Sequence, residues 1–206
     1  MSEIDDLRGT VREFLVDRMP AERVREVMDS QAGFDSAAWD RLATELGVVG
    51  MTVPAEFGGA DAGFDAAAVV LGELGRTLAP VPCLSHVLAV EAVSSCRDRS
   101  LRGEILPGIA AGRTMATIAV ADEIDHPVTV CSDGDGWRAD GGKSHVLDGG
   151  GADLFLLAVR DGEHRGWFAV DRATTGVEVD MLTGYDLTRR QSQCPVRIGG
   201  RAAAVR

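Results

Sequence analysis

Apolar positions in the first half of the chain recur with a helical period. Ile4, Leu7, Val11, Phe14 and Leu15 fall at intervals of three and four and predict a first helix, with Ser2 and Asp5 as a capping pair. Pro20 breaks that pattern, and Val24, Val27 and Met28 mark a short second helix. Asp35 or Ser36 caps a third, on which Trp39, Leu42 and Leu46 share a face before Gly47 supplies a C-terminal stop. Asp65 opens a fourth that runs to about Leu78, with Val69, Val70 and Leu74 inward. Pro80 and Pro82 interrupt it, and residues 84–93 and 101–109 complete about six helices.

From Thr114 onward the pattern changes to short, β-branched runs separated by turn residues. Residues 117–120, 128–131, 136–139, 144–147, 154–159, 166–170 and 176–179 read as seven short strands rich in Val, Ile, Leu and Trp. Asp133-Gly134-Asp135-Gly136 and Asp140-Gly141-Gly142 read as hairpin turns between them. Short strands at this spacing predict an antiparallel β-barrel or sandwich. Helices followed by strands, unmixed, give an α+β chain in two parts: an all-α domain over residues 1–112 and a β-barrel domain over 113–206.

The 206 residues are 45% hydrophobic, enough for a packed core, but only 5% aromatic, so that core is built of aliphatic side chains. A net charge of −11 argues against nucleic acid as a partner, because phosphate binding needs clustered Lys and Arg. Cys83, Cys96, Cys131 and Cys194 form no pair at metal spacing and read as reduced thiols of a cytoplasmic protein. The acidic N-terminus carries no signal-peptide pattern, and no apolar run is long enough to span a membrane.

The side chains alone offer little chemistry. Gly58-Gly59-Ala60-Asp61-Ala62-Gly63 has the look of a phosphate cradle, but no strand precedes it, and it reads as a tight connection between helices. His145 is either a partly exposed strand histidine or a functional one; His86, His126 and His164 read as surface or loop residues. Asp122, Glu123 and Asp125 crowd one loop, as acid–base carboxylates or as a solvated turn. Ser144 lacks the elbow of an activated nucleophile, Trp137 and Trp167 read as packing residues, and Arg189-Arg190 reads as a hydrated surface pair.

Three stretches of the helical half carry a resemblance. Trp39-Asp-Arg-Leu-Ala-Thr-Glu-Leu-Gly47, Val53-Pro-Ala-Glu-Phe-Gly-Gly59 and Gly72-Glu-Leu-Gly-Arg-Thr-Leu-Ala-Pro80 resemble the N-terminal helical domain of the acyl-CoA dehydrogenases. The run from Asp135 through Gly141-Gly-Lys143 to Asp153, and then Leu154-Phe-Leu-Leu-Ala-Val-Arg160, resembles the middle β-domain of the same family. Gly166-Trp-Phe-Ala-Val-Asp171, Asp186-Leu-Thr-Arg-Arg190 and the stretch from Arg197 to the end continue that likeness.

The resemblance implies FAD as cofactor and the α,β-dehydrogenation of an acyl-CoA, in fatty acid or sterol side-chain oxidation. Carried over position by position, it implies flavin contacts at Ile118, Val120 and Ala121 on one strand and at His145 and Leu147 on another. The family's Thr-Glu-Pro and Gly-Ser-Asp are absent from the first segment. In the second, His145-Val146-Leu147 replaces the usual Trp-Ile-Thr. Leu147 has no hydroxyl, which removes one hydrogen bond worth ~0.5–1.5 kcal/mol. Nothing here resembles the family's C-terminal four-helix bundle, which carries the catalytic glutamate in most members, so no residue is assigned as catalytic.

Three readings follow from the likeness. The chain is the front portion of a dehydrogenase; or a non-catalytic subunit that partners another member in a homo- or hetero-oligomer; or, on the thinnest grounds, a binder of acyl-CoA without chemistry.

Overall fold

The computed structural model describes residues 3–133, 136–161, 164–200 and 203–205. Ser2 and the turn residues Gly134 and Asp135 lie outside them. Six helices come first: α1 (Glu3–Arg18), α2 (Ala21–Asp29), α3 (Ser36–Thr44), α4 (Phe64–Thr77), α5 (Cys83–Ser94) and α6 (Arg99–Ala110). A single 3₁₀ turn, Ala55–Phe57, lies between α3 and α4.

Local chemistry sets several of the boundaries. The Asp35 carboxylate accepts the Ala38 N–H at 2.9 Å and caps α3, while its other oxygen takes the Arg23 guanidinium at 2.8 Å. Asp98 caps α6 through the N–H groups of Ser100 and Leu101. Helix α4 starts after Gly63, two residues before the expected opener Asp65. It ends in a left-handed residue, Leu78 at φ 53°, with Leu78 N–H donating to Gly75 O and Ala79 N–H to Leu74 O. That pattern is a Schellman stop, occupied here by leucine where glycine is usual.

Eight strands follow: β1 (Ala116–Ala119), β2 (Thr129–Asp133), β3 (Gly136–Leu147), β4 (Leu154–Asp161), β5 (His164–Asp171), β6 (Asp180–Met181), β7 (Gln191–Gly200) and β8 (Ala203–Val205). They form one curled sheet in the order β6-β7-β3-β2-β4-β5-β8, with β1 on β4. The α+β division between helices and strands is as the sequence predicts, but the sheet is mixed. β1 runs parallel to β4, and β2 touches β4 in the same sense.

Two further differences have physical causes. Asp140-Gly141-Gly142 is no hairpin; it lies inside β3, which pairs without interruption with β7 from Trp137 to Lys143. The glycines are needed because the β1–β2 loop crosses there. A Cβ on Gly141 (φ 137°) would meet the Pro127 carbonyl oxygen at 2.5 Å, and one on Gly142 would overlap the Glu123 carboxyl. Residues 176–179 make one isolated bridge, Val177 to Val196, and no strand.

The core has three parts. Val11, Leu15, Trp39, Leu42, Val70 and Leu74 join α1, α3 and α4. Val90, Val93, Leu106 and Ile109 of α5 and α6 pack on Ala116, Leu156 and Ala169 of the sheet. Inside the curl, Val146, Phe155, Leu157, Phe168, Cys194 and Val196 meet. Between α1 and α4, Arg12 reaches the buried Glu73 with two bonds of 2.9 and 2.7 Å, and these bonds lead in holding the Glu73 carboxyl down at about 2.

The 50–62 connection folds on itself, with Asp61 N–H donating to Val53 O and Ala62 N–H to Met51 O. Gly59 lies so close to Val53 that any Cβ there would overlap its carbonyl oxygen. Gly59→Ala is therefore expected to destabilise the chain by about 2–3 kcal/mol in a chemical denaturation series, whereas Gly47→Ala, at φ 63° but in open space, costs about 1.

Candidate functional site

The five residues that the resemblance assigns to a cofactor occupy two neighbouring segments. Ile118 is on β1, and Val120 and Ala121 are its exit; His145 and Leu147 are on β3. The segments are joined by Ser144 N–H donating to Ala121 O at 2.9 Å and by the Thr117 hydroxyl donating to Leu147 O at 2.7 Å. Ile118 packs against the helix-side core, and Leu147 is half-buried. Val120 is 57% exposed, and Ala121 and His145 are exposed beside it.

His145 owes its outward position to a bulge. Pairing of β3 with β7 shifts between Lys143 and Val146, and His145 takes φ 54°. In a regular strand residues 143 and 145 would share a face. Here Lys143 is fully buried while His145 is in solvent, with Nδ1 3.1 Å from the Ser144 hydroxyl.

A cavity of about 520 Å³ opens beside His145, lined by Met181, Leu182, Asp186, Leu187 and Arg189 among others. Asp186 is held below the usual carboxylate range by the Thr188 hydroxyl and N–H, with Arg189 adding less. Arg190 is not a hydrated surface residue. Its guanidinium donates to the carbonyls of Met28, at 2.6 Å, and Ser30, at 3.2 Å, and so ties the β6–β7 connection to the end of α2.

The histidines sort differently from the sequence reading. His86 is buried on α5 at 1% exposure, edge-on to Trp39 with ring centres 4.8 Å apart. Its Nδ1 accepts the Ala116 N–H at 3.3 Å, and Nε2 has no hydrogen-bond partner. Burial lowers its pKa to about 4, with the Val49 backbone opposing weakly. His126 is exposed, 3.8 Å from Asp140, and the side chain of His164 lies outside the described residues. Among the described residues no group of His, Cys, Asp and Glu is arranged to hold a metal, and all four cysteines are free thiols.

Just past β3, Asp148 sits at φ 56° with its carboxyl turned into the junction with α5. Sequence reasoning passed over it, because nothing local distinguishes it from a turn aspartate. Ser85 Oγ lies 2.8 Å from Asp148 and 3.0 Å from the Pro82 carbonyl oxygen. The Ser85 hydroxyl donates to the Asp148 carboxylate, with the Pro82 carbonyl as its second acceptor. Burial pushes the Asp148 carboxyl up to about 6, against the opposing Ser85 bond and the Arg189 charge.

Comparison with known proteins resolves what this arrangement belongs to. The family model of the acyl-CoA dehydrogenase N-terminal domain matches residues 1–113. The chain belongs to the acyl-CoA dehydrogenase family. Acyl-CoA dehydrogenase IpdE2 of Mycolicibacterium smegmatis is 37% identical over 57% of this chain and 36% of its own length. Acyl-CoA dehydrogenase FadE27 of Mycobacterium tuberculosis is 29% identical over 97% of this chain and 56% of its own.

Among solved structures, the ChsE4-ChsE5 complex from Mycobacterium tuberculosis superposes with a TM-score of 0.88 at 27% identity, over 99% of this chain and 56% of that one. The Tcur3481-Tcur3483 steroid ACAD gives 0.84 at 30%, over 97% and 56%. An acyl-CoA dehydrogenase from Bacillus anthracis, solved with FAD, shares the fold at 0.79 and 20%, over 100% and 36%. The chain thus spans about a third to just over half the length of these relatives. Among the described residues, no helix is long and apolar enough to cross a membrane.

The raised Asp148 predicts a pH dependence. The folded state keeps its proton where the unfolded chain, near 3.8, has released it, so stability falls as pH rises from about 4 to about 6 and then levels. Asp148→Asn, which stays neutral and tolerates positive φ, is expected to flatten that decline when thermal midpoints are compared across the window.

Proposed function

We propose that this chain supplies the helical and β-domain parts of an FAD-dependent acyl-CoA dehydrogenase, with residues 1–112 and 113–206 as its two units, acting in the cytoplasm. The observation that supports the reading most is the shared open edge of Val120, Ala121 and His145, held together by the Ala121–Ser144 hydrogen bond. An exposed apolar edge next to an imidazole suits one face of an isoalloxazine ring.

The fit is partial. The Leu147 position offers no hydroxyl, and its carbonyl is already engaged by Thr117. In this reading Val120, Ala121 and His145 would hold the ring, with Ile118 and Leu147 supporting the two segments from behind. FAD, when bound, supplies the hydride acceptor for oxidation of the acyl α–β bond. No residue of this chain is assigned the proton abstraction.

A second reading has its own support. The missing hydroxyl and the absent Thr-Glu-Pro and Gly-Ser-Asp segments suit a subunit that shapes a catalytic partner of the same family. Relatives solved as the ChsE4-ChsE5 complex and as Tcur3481-Tcur3483 are consistent with a hetero-oligomer and with a steroid-derived or fatty acyl-CoA as substrate.

Titration of the purified chain with FAD, followed in the visible band, separates the two. Bound flavin that bleaches on adding an acyl-CoA is the outcome expected for a catalytic unit. A colourless chain that becomes coloured only with a second family member identifies a partner subunit. A chain that takes up no flavin under either condition sinks both.

A further inference from the structure

Lys143 places a basic side chain inside the sheet, out of reach of bulk solvent. Its side chain is 0% exposed, among the largest fully buried side chains of the described residues. An ammonium in such a place is tolerated only if its three protons are all accepted. They are: Nζ donates to the Asp122 carboxylate at 2.5 Å, to the Val120 carbonyl at 3.4 Å, and to the Ala158 carbonyl of β4. Two of these acceptors belong to the exit of β1 and the third to its neighbouring strand.

The same carboxylate oxygen of Asp122 also accepts the Val128 N–H at 3.2 Å, so the two ends of the β1–β2 loop converge on one group. Backbone bonds repeat the connection: Glu123 N–H to Gly142 O, Gly142 N–H to His126 O, and Ser144 N–H to Ala121 O. Residues 120–126 are therefore sewn to residues 142–144, with the ammonium beneath the seam. The bulge that follows lets one strand send Lys143 inward and His145 outward within three residues.

We infer that Lys143 is a positioning residue whose buried ammonium fixes the Val120–Ala121 edge against the turned-out His145. The inference rests on the flavin-facing reading for what the edge is for, though not for how it is held. Without the ammonium, two carbonyls lose a buried donor and Asp122, 39% exposed, can swing to water. The β1 exit then loosens while the helical core keeps its contacts.

Hydrogen–deuterium exchange on the full chain tests this with Lys143→Met, which keeps much of the volume and removes the protons, and with Asp122→Asn. Exchange across residues 119–126 is expected to rise about tenfold in Lys143→Met and less in Asp122→Asn, with α5 unchanged. FAD added to Lys143→Met is expected to lose the visible band shift that it shows with the parent chain. Unchanged exchange at 119–126 in both variants overturns the inference, as does a band shift in Lys143→Met as large as the parent's when the edge has loosened. Acceleration spread equally through α5 in both variants overturns it too, making Lys143 a general core support. If Lys143→Met does not fold, the Asp122→Asn pattern decides. A loosened edge in a chain whose parent takes up no flavin upholds the clamp and refutes the flavin reading instead.

Discussion

Strand β4 is apolar on both faces, and the rest of the fold is arranged around that constraint. Phe155 and Leu157 point into the curl of the sheet, while Leu156 points to α5 and α6. A strand buried on both sides needs a layer above and a layer below. The helices supply one and the curled sheet the other. β1, lying parallel along β4, is thereby held between the helical layer and the barrel, and its exit is the edge that carries the candidate site.

Buried polar groups then specify how the layers meet. His86 takes the first N–H of β1 from the helix side, Asp148 reaches Ser85 across the junction, and Lys143 collects oxygens from two strands and a loop. Hydrophobic burial is indifferent to small slides between layers, whereas each of these contacts is lost within about an ångström. They are poor sources of net stability, since desolvation offsets most of their attraction. Their effect is to fix one alignment of helix, strand and loop.

Much of the helical half was legible because a period of 3.6 and capping residues are local signals; Asp35 and the run through Val70 and Leu74 illustrate it. The first strands were legible for the same reason. The sense of pairing was not, because parallel and antiparallel neighbours of a doubly buried strand demand the same apolar run. Asp140-Gly141-Gly142 misled because glycine signals a turn and a close crossing of another chain segment equally well. The five cofactor positions came from resemblance, and their side chains alone would not have singled them out. Lys143, Asp148, His86 and Arg190 were invisible as buried groups, since their partners lie 15 to 162 residues away in sequence.

The bond from Arg190 to the Met28 carbonyl closes a loop of 162 residues. During synthesis, α1 to α6 leave the ribosome and can pack long before Arg190 exists. The end of α2 therefore waits for 162 further residues before its last carbonyls find their donor. Until that bond closes, the end of α2 in a nascent copy keeps the Met28 and Ser30 carbonyls open to other donors.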